Sequence, residues 1–207
     1  MNDIAIKDGM NLFERTLKRT FDIIGSIVCL LVFSPLFVVC WIAIHLDDHK
    51  KAIFSQERIG KGGKPFHIYK FRSMNPNAEA SGGPQLFDQD KDERLTRTGR
   101  FLRAHHLDEL PQFWNVLIGD MSFIGPRPER KFFIDQIMEH DSRYELLYQI
   151  RPGITSYATL YNGYTDTMEK MLKRLELDLH YLEHRSSLLD LKILWLTFYK
   201  IVRGDKF

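Results

Sequence analysis

The sequence predicts an α+β, mainly helical protein with an N-terminal re-entrant membrane helix, and three features of the chain predict it. One uncharged apolar run extends from 23 to 44, two short strand-like runs follow it, and apolar residues at helical spacing fill the second half. Apolar residues recurring every three to four positions indicate amphipathic helices, whereas short runs bounded by glycine and proline indicate strands. The expected elements are a broken membrane helix, a small β-hairpin and amphipathic interfacial helices.

Composition narrows the class of protein. The 207 residues allow one domain with its own core, or a small domain with an appendage. The formal net charge of +2 is close to neutral, so the sequence does not predict a protein that binds nucleic acid. Both cysteines, Cys29 and Cys40, lie inside the apolar run, and this placement suits a reducing compartment.

The apolar run is predicted to enter and leave the membrane by the same face. As one helix it would reach ~33 Å, about the thickness of a bilayer core, so a plain spanning anchor is the alternative. Pro35 interrupts the run, and the preceding Ser34 hydroxyl can satisfy a backbone group that the proline frees. Both flanks are basic, which places both ends on the cytoplasmic side. The flanking cations are Arg15, Lys18, Arg19, Lys50, Lys51 and Arg58.

The elements after the anchor follow from local patterns. The runs "AIFSQERI" and "PFHIYKFRSM" are joined by "GKGGK" and predict a β-hairpin, whereas residues 75–93 are polar and rich in glycine and proline and predict a mobile loop. Helices are expected over 98–104, from about Asp108, twice within 129–148, over 166–184 and over 187–203. The last helix is amphipathic. Two placements are open for its apolar face, the protein core and the membrane surface. The tryptophan and the lysines of this helix favour the membrane surface.

An acidic pair, Asp108 and Glu109, precedes the helix that begins around "LPQFW". As a structural device Asp108 would cap this helix, because aspartate accepts hydrogen bonds from the free amides of a first turn. The same place suits chemistry, since a helix start attracts phosphate and an ionised carboxylate can attack phosphorus. Adjacent carboxylates repel unless a cation lies beside them, and Mg²⁺ takes one or two carboxylates plus substrate phosphate oxygens. The pair is therefore the candidate catalytic and Mg²⁺-binding site.

Five basic side chains are candidate substrate ligands: Lys70, Arg72, Arg103, Arg127 and Arg151. Lys70 and Arg72 alternate with apolar residues, so they would share one face of a strand. Arg127 is held between two prolines, and Arg151 opens the similarly rigid "RPGITS". Guanidinium groups bind phosphate oxygens in pairs, and phosphoryl transfer depends mainly on positioning and charge neutralisation. These cations and the acidic pair together predict a site for phosphoryl groups.

At these motifs the chain resembles the bacterial sugar transferases, the small monotopic polyprenyl-phosphate phosphoglycosyl transferases. The resemblance covers about 15 to 204, and the order LDELPQ, GDMSF followed by GPRP, then RPGIT is highly specific. The matching segments are "KRTFDIIGSIVCLLVFSPLF", "IFSQERIGKGGKPFHIYKFRSM", "LTRTGRFLRAHHLDELPQFWNVLIGDMSFIGPRPE", "RPGIT" and "LDLKILWLTFYKIVRG".

The resemblance implies a reaction and roles for the residues. Such enzymes move a sugar phosphate from a nucleoside diphosphate sugar, usually a UDP-sugar, onto undecaprenyl phosphate, and they release UMP in the first membrane step of glycan assembly. Asp108 would be the nucleophile that forms a covalent phosphosugar intermediate, and Glu109 the acid associated with Mg²⁺. Further family positions fall on Lys70, Arg103 and Arg127 in the active site and on Ser34 and Pro35 at the membrane break.

The resemblance also implies organisation and location. Residues 1–48 would form the N-terminal segment with the re-entrant helix, and 49–207 a membrane-associated catalytic domain on the cytoplasmic face of the bacterial inner membrane. The expected partners are a UDP-sugar, undecaprenyl phosphate and this membrane, with a homodimer left open and no nucleic acid. Larger relatives add a multi-span N-terminal region, so this chain is expected to be the minimal catalytic form.

Two other functions stay open. A catalytically silent membrane scaffold for glycan assembly would have no need of the acidic pair and Arg127, whereas a Mg²⁺-dependent polyprenyl phosphohydrolase would use similar groups. The chain also departs from the family after RPGIT, where many relatives continue with Gly-Trp-Ala-Gln-Val-Asn-Gly-Arg and this chain has "SYATLYNGYTD". The sugar and the glycan pathway are therefore unassigned, as are the roles of the 75–93 loop and the 156–166 segment.

Overall fold

The computed structural model describes residues 6–75, 78, 92–163 and 165–204. Helices dominate this part of the chain, as predicted. They are α1 (Leu12–Val32), α2 (Ser34–Asp48), α3 (Arg97–Ala104), α4 (Gln112–Ile118), α5 (Lys131–His140), α6 (Tyr157–Asn162), α7 (Met168–His184) and α8 (Ser187–Arg203). The strands are β1 (Ile53–Ile59), β2 (Pro65–Phe71), β3 (Ser122–Ile124) and β4 (Gly153–Thr155). Short 3-10 helices cover Lys61–Gly63, Leu107–Glu109 and Ser142–Gln149.

The N-terminal helix breaks where the sequence predicts it. Helices α1 and α2 meet at Phe33 and are bent by 60°. Pro35 lies in the first turn of α2, and the Ser34 hydroxyl donates to the Leu31 carbonyl at 2.7 Å, which satisfies a backbone group at the break. By length and composition no single described helix qualifies as a membrane span, whereas the bent pair qualifies as a broken span or a re-entrant segment.

Helix α1 is also joined to the rest of the fold by polar contacts. It begins at Leu12, earlier than the apolar run, so its first half carries the basic flank. Asp22 is buried and accepts hydrogen bonds from the Ser122 hydroxyl and the Phe123 amide, both at 3.1 Å, at the start of β3. Lys18 pairs with Asp190 of α8 at 2.6 Å. Helix α1 is therefore held in a fixed position against β3 and α8.

The predicted hairpin is confirmed. Strand β1 pairs antiparallel with β2 along its full length, with Ile53 opposite Phe71 and Ile59 opposite Pro65. The turn contains Gly62 and Gly63 with φ of +72° and +70°, a left-handed conformation that glycine adopts without steric cost. The predicted 75–93 loop lies almost wholly outside the described residues.

A second, parallel strand pair was not predicted, because strands of three residues are too short to show an alternating pattern. Strands β3 and β4 bring the "GPRP" segment against "RPGIT". The approach requires glycine: a Cβ on Gly125 would lie 2.2 Å from the Arg151 carbonyl oxygen, and one on Gly153 would lie 2.1 Å from the Gly125 nitrogen. The Gly153 amide donates to the Pro126 carbonyl at 2.9 Å, which fixes the loop that carries Arg127.

The second half forms the main core and an exposed apolar face. Only one α-helix, α5, occupies 129–148, and the second helix expected there is a 3-10 helix; α6 was not predicted. Helices α5 and α7 and the 3-10 helix enclose the largest buried cluster. Along α8, Leu191, Trp195, Phe198 and Val202 of the predicted apolar arc are all more than half exposed, whereas Leu194 of the same arc packs against a core cluster. The exposed part of the arc does not pack on the protein core, and it suits the membrane-surface alternative.

Candidate active site

An ion pair between Lys70 and Glu109 lies at the centre of the site. Lys70 is near the end of β2, and the 3-10 helix Leu107–Glu109 presents Glu109 to it, with Nζ 2.6 Å from Oε1. Burial by itself would raise the pKa of Glu109, but Lys70 and Arg127 outweigh it and lower that pKa to about 2. Glu109 is therefore a carboxylate across the physiological pH range.

Asp108 occupies a different environment from its neighbour. Its side chain is only 4% exposed, and burial raises its pKa above the ordinary value. Lys70, Arg103 and His106 act in the opposite direction, whereas the Glu109 charge raises the pKa of Asp108 further. His106, the residue directly before the 3-10 helix, has a left-handed backbone conformation with φ of 55°. The chain therefore turns at His106, immediately before the acidic pair. A cation or additional donors beside Asp108 would favour its charged, nucleophilic form.

The prediction that Asp108 caps the following helix is wrong. Helix α4 begins four residues later, at Gln112, with Pro111 as its N-cap and no capping hydrogen bond from a side chain. Asp108 belongs instead to the separate 3-10 helix, and amides in the first turn of α4, those of Phe113 and Trp114, donate to the Leu110 and Pro111 carbonyls, both at 3.1 Å. Capping thus does not account for the buried carboxylate.

Arg127 lines a cleft together with Glu109, one member of the acidic pair. The cleft is lined by Arg58, Ile68, Lys70, Glu109, Gln112, Arg127, Pro128, Gly153 and Ile154. Arg127 is exposed, and its charge lowers the pKa of Glu109. The backbone of its loop is fixed two residues later at Glu129, whose carbonyl accepts from the Ile59 amide at 3.1 Å. The cleft therefore combines a firmly held cationic loop and Lys70 with the Glu109 carboxylate, a combination suited to phosphoryl groups.

The Glu129 carboxylate belongs to a buried ionic cluster behind the cleft. Arg174 of α7 lies 2.8 Å from one of its oxygens, and Arg58 of β1 lies 3.6 Å from the other. Burial would raise the pKa of Glu129, but these two arginines lower it. The Arg58 guanidinium also donates to the Pro128 carbonyl at 3.3 Å, so the cluster holds the backbone next to Arg127 on two sides.

The structure brings together three of the five predicted cations. Lys70 and Arg127 line the cleft, and Arg103, in the last turn of α3, acts on the charge of Asp108. The other two make backbone contacts: Arg72, just past β2, donates from Nε to the Lys51 carbonyl at 2.8 Å, and Arg151 donates to the Gly119 carbonyl at 2.7 Å. Their roles as substrate ligands remain predictions.

Sequence reasoning missed four residues of this region: Arg58, Gln112, Glu129 and Arg174. Gln112 is the last residue of the recognised motif "LDELPQ" and Glu129 directly follows "GPRP", and these positions were the available signal. Arg58 and Arg174 gave none, because an isolated arginine in a strand or helix pattern is usually a solvated surface charge. Only packing brings them to the loop that carries Arg127.

The acidic pair is suited to Mg²⁺. Within 6–75, 78, 92–163 and 165–204, no group of three or more histidine, cysteine or acidic side chains could hold a metal by itself. Mg²⁺ does not require one, since it is commonly bound through one or two carboxylates with substrate phosphates and waters. Asp108 and Glu109 are adjacent, and Glu109 is ionised, so the donor set matches this mode of binding.

The fold combines a bent N-terminal helix pair with a separate cleft whose acidic and basic side chains suit phosphoryl groups. The chain belongs to the bacterial sugar transferase family, whose model matches residues 13–204. The resemblance inferred from the motifs is thereby confirmed.

Three relatives illustrate the relationship. The chain is 40% identical over 188 residues to the UDP-N-acetylgalactosamine-undecaprenyl-phosphate N-acetylgalactosaminephosphotransferase of Aeromonas hydrophila, covering 91% of this chain and 44% of the relative. It is 42% and 38% identical to UDP-glucose:undecaprenyl-phosphate glucose-1-phosphate transferases of Escherichia coli and Caulobacter vibrioides, covering 90% and 91% of this chain. It spans 40% of the E. coli protein's length and 70% of the C. vibrioides protein's.

Proposed function

We propose that the protein transfers a sugar 1-phosphate from a UDP-sugar to undecaprenyl phosphate, giving UMP and a polyprenyl diphosphate sugar. The observation that carries the proposal is the Asp108–Glu109 pair, in which Glu109 is paired with Lys70 and lies near Arg127, and the charges of Lys70 and Arg103 act on Asp108. Membership of the bacterial sugar transferase family and the activities of the relatives named above support the same reaction. The product would serve the first membrane-linked step of glycan assembly.

In the first step a carboxylate oxygen of Asp108 attacks the β-phosphorus of the UDP-sugar. The new oxygen–phosphorus bond replaces the bond to the bridging oxygen, and UMP leaves with that oxygen and its electron pair. Lys70 and Arg127 bind the non-bridging oxygens, whose negative charge is the main obstacle to attack by an anion. The raised pKa of Asp108 fits this role, because burial makes the carboxylate more reactive than a fully hydrated one.

In the second step a phosphate oxygen of undecaprenyl phosphate attacks the phosphorus of the aspartyl phosphosugar. The bond to Asp108 breaks, the carboxylate is restored, and the polyprenyl diphosphate sugar leaves. One cleft then serves two polyanions in turn and never holds both. Mg²⁺, held by Asp108 and Glu109, would neutralise charge on the substrate phosphates.

We further propose that α1 and α2 form a re-entrant segment and that the cleft is on the cytoplasmic side of the bacterial inner membrane. The bend at Ser34–Pro35, the basic flanks and the outward apolar residues of α1, α2 and α8 support this placement. The lipid phosphate would then reach the cleft from the membrane surface, and the soluble UDP-sugar from the cytosol.

The reaction is tested by UMP release. Purified protein is incubated with Mg²⁺, undecaprenyl phosphate and a panel containing UDP-glucose and UDP-N-acetylgalactosamine, and Asp108→Asn is the matched control. We expect the wild type to form UMP, with multiple turnovers only when lipid is present. We expect the control to form none. Release of orthophosphate from undecaprenyl phosphate instead would assign the protein as a phosphohydrolase, and no turnover with any UDP-sugar would favour a scaffold.

A further inference from the structure

Helix α4 carries two buried side-chain amides in contrasting surroundings. Asn115 is fully buried, and its Oδ1 accepts from the Tyr69 amide at 3.0 Å. Its Nδ2 donates to the His67 carbonyl at 2.7 Å and to Asp120 at 3.3 Å. These bonds join α4 to β2 and to the turn that ends the helix. Asn115 is therefore a structural amide whose donors and acceptor are in use.

Gln112, three residues earlier, lacks such partners. It is 2% exposed, and among the described residues its Nε2 has no hydrogen-bond acceptor. Burying an amide donor without an acceptor is unfavourable, and such groups are few in native structures. Gln112 lines the cleft together with Lys70, Glu109 and Arg127. The unmatched donor therefore points to a ligand that binds in this cleft.

We propose that Gln112 is a substrate-binding residue whose side-chain amide donates to a phosphoryl oxygen in the cleft. Phosphoryl oxygens are acceptors only, and the neighbouring Lys70 and Arg127 select an anion rather than a neutral hydroxyl. Glutamine adds a directed donor without further charge. A further cation at this position would compete with Lys70 for the Glu109 carboxylate, and the neutral amide of Gln112 does not. The identity of the anion rests on the proposed function: the oxygen belongs to the UDP-sugar diphosphate or to undecaprenyl phosphate.

The contrast between the two amides provides the test. Three variants are compared with the wild type: Gln112→Met, which keeps the length without a donor, Gln112→Glu, which replaces the donor with an acceptor, and Asn115→Leu as the structural control. Thermal unfolding is measured with and without pyrophosphate, in the presence and absence of Mg²⁺. Gln112→Met should retain or raise the unliganded Tm and bind pyrophosphate about tenfold more weakly, as expected for one lost hydrogen bond to a charged group. Gln112→Glu should bind it still more weakly, and Asn115→Leu should lower the unliganded Tm.

The source of the oxygen is resolved by repeating the measurement with UDP and with farnesyl phosphate. If Gln112→Met reduces the Tm shift caused by UDP but not that caused by farnesyl phosphate, Gln112 contacts the nucleotide sugar. If it reduces only the shift caused by farnesyl phosphate, Gln112 contacts the lipid. A lower Tm in Gln112→Met with unchanged pyrophosphate binding would overturn the proposal, because the amide would then be structural. Pyrophosphate binding retained in Gln112→Glu would also overturn it, since the ligand would not need a donor. Absence of UMP release by the wild type refutes the transferase function, whereas the pyrophosphate comparison still decides the role of Gln112.

Discussion

Replacing Asp178 with asparagine is predicted to stabilise the protein at alkaline pH and to have a much smaller stabilising effect in acid. Asp178 lies in α7, is 3% exposed, and has one carboxylate oxygen without a hydrogen-bond partner among the described residues. Burial raises its pKa to about 7; Arg174 opposes this rise, and the charge of Glu129 adds to it. Asparagine has nearly the same shape and carries no charge to bury.

The size of the effect follows from proton linkage. The folded pKa of about 7 lies above the ordinary value of 3.8, so between these values the folded state holds a proton that the unfolded state releases. The resulting stabilisation is complete below the unfolded pKa and is lost as pH rises through the folded one. Between about pH 5 and pH 8 the wild type should lose about 2.6 kcal/mol from this group, at ~1.4 kcal/mol per pKa unit. The asparagine variant should lose none of it.

The assay is urea unfolding in detergent micelles, followed by tryptophan fluorescence at the two pH values. Asp135→Asn is the matched control, because Asp135 lies on α5 with half its side chain exposed, in an i,i+4 pair with Lys131. The stability difference between Asp178→Asn and wild type should increase by about 2.6 kcal/mol from pH 5 to pH 8, and the control should change little. An equal difference at both pH values, or a less stable variant at pH 8, would refute the argument from burial.

Two further predictions concern the loop that carries Arg127 and the bend between α1 and α2. Arg127→Lys keeps the charge but loses the paired donors, so the rate of UMP release should fall at least tenfold, whereas Arg100→Lys on the exposed face of α3 should leave it unchanged. Wild-type turnover in Arg127→Lys would show that the loop is only structural. The double change Ser34→Ala and Pro35→Ala restores a helical amide at the break, so α1 and α2 should straighten and move the N-terminus to the periplasmic side. Cysteine-accessibility labelling in intact cells measures this, and a wild-type N-terminus already labelled from the periplasm would contradict the re-entrant arrangement.

The predictable parts of the fold were those with a strong local signal. The Pro35 break, the hairpin around Gly62 and Gly63, and helix α8 each follow from a proline, a glycine turn or an apolar period within a few residues. The β3–β4 pair could not be predicted, because it depends on the approach of two short segments that are far apart in sequence. The outward direction of the α8 arc also required the fold, since periodicity shows which residues share a face but not what that face meets.

In the candidate site, too, features with a local sequence signal could be predicted, and features that depend on contacts between distant residues could not. The acidic pair and Arg127 stood out because their residue types and rigid neighbours indicate phosphoryl chemistry. The different pKa shifts of Asp108 and Glu109 could not be predicted, since they arise from burial and from cations on other elements. Gln112 was likewise hidden, because an unmatched donor is visible only when every neighbouring acceptor is known.

The central claim is that Asp108 forms a covalent bond to the phosphosugar, and trapping that adduct tests it most directly. Protein, Mg²⁺ and a UDP-sugar labelled in its sugar are mixed without lipid, and protein-bound label and free UMP are measured together. We predict label on the wild type in amounts that approach one per chain, an equal amount of UMP, loss of the label when undecaprenyl phosphate is added, and no label on Asp108→Asn. Wild-type protein that turns over with lipid by sequential kinetics, but carries no label without lipid, would contradict the covalent mechanism and leave Asp108 as a general base or a metal ligand.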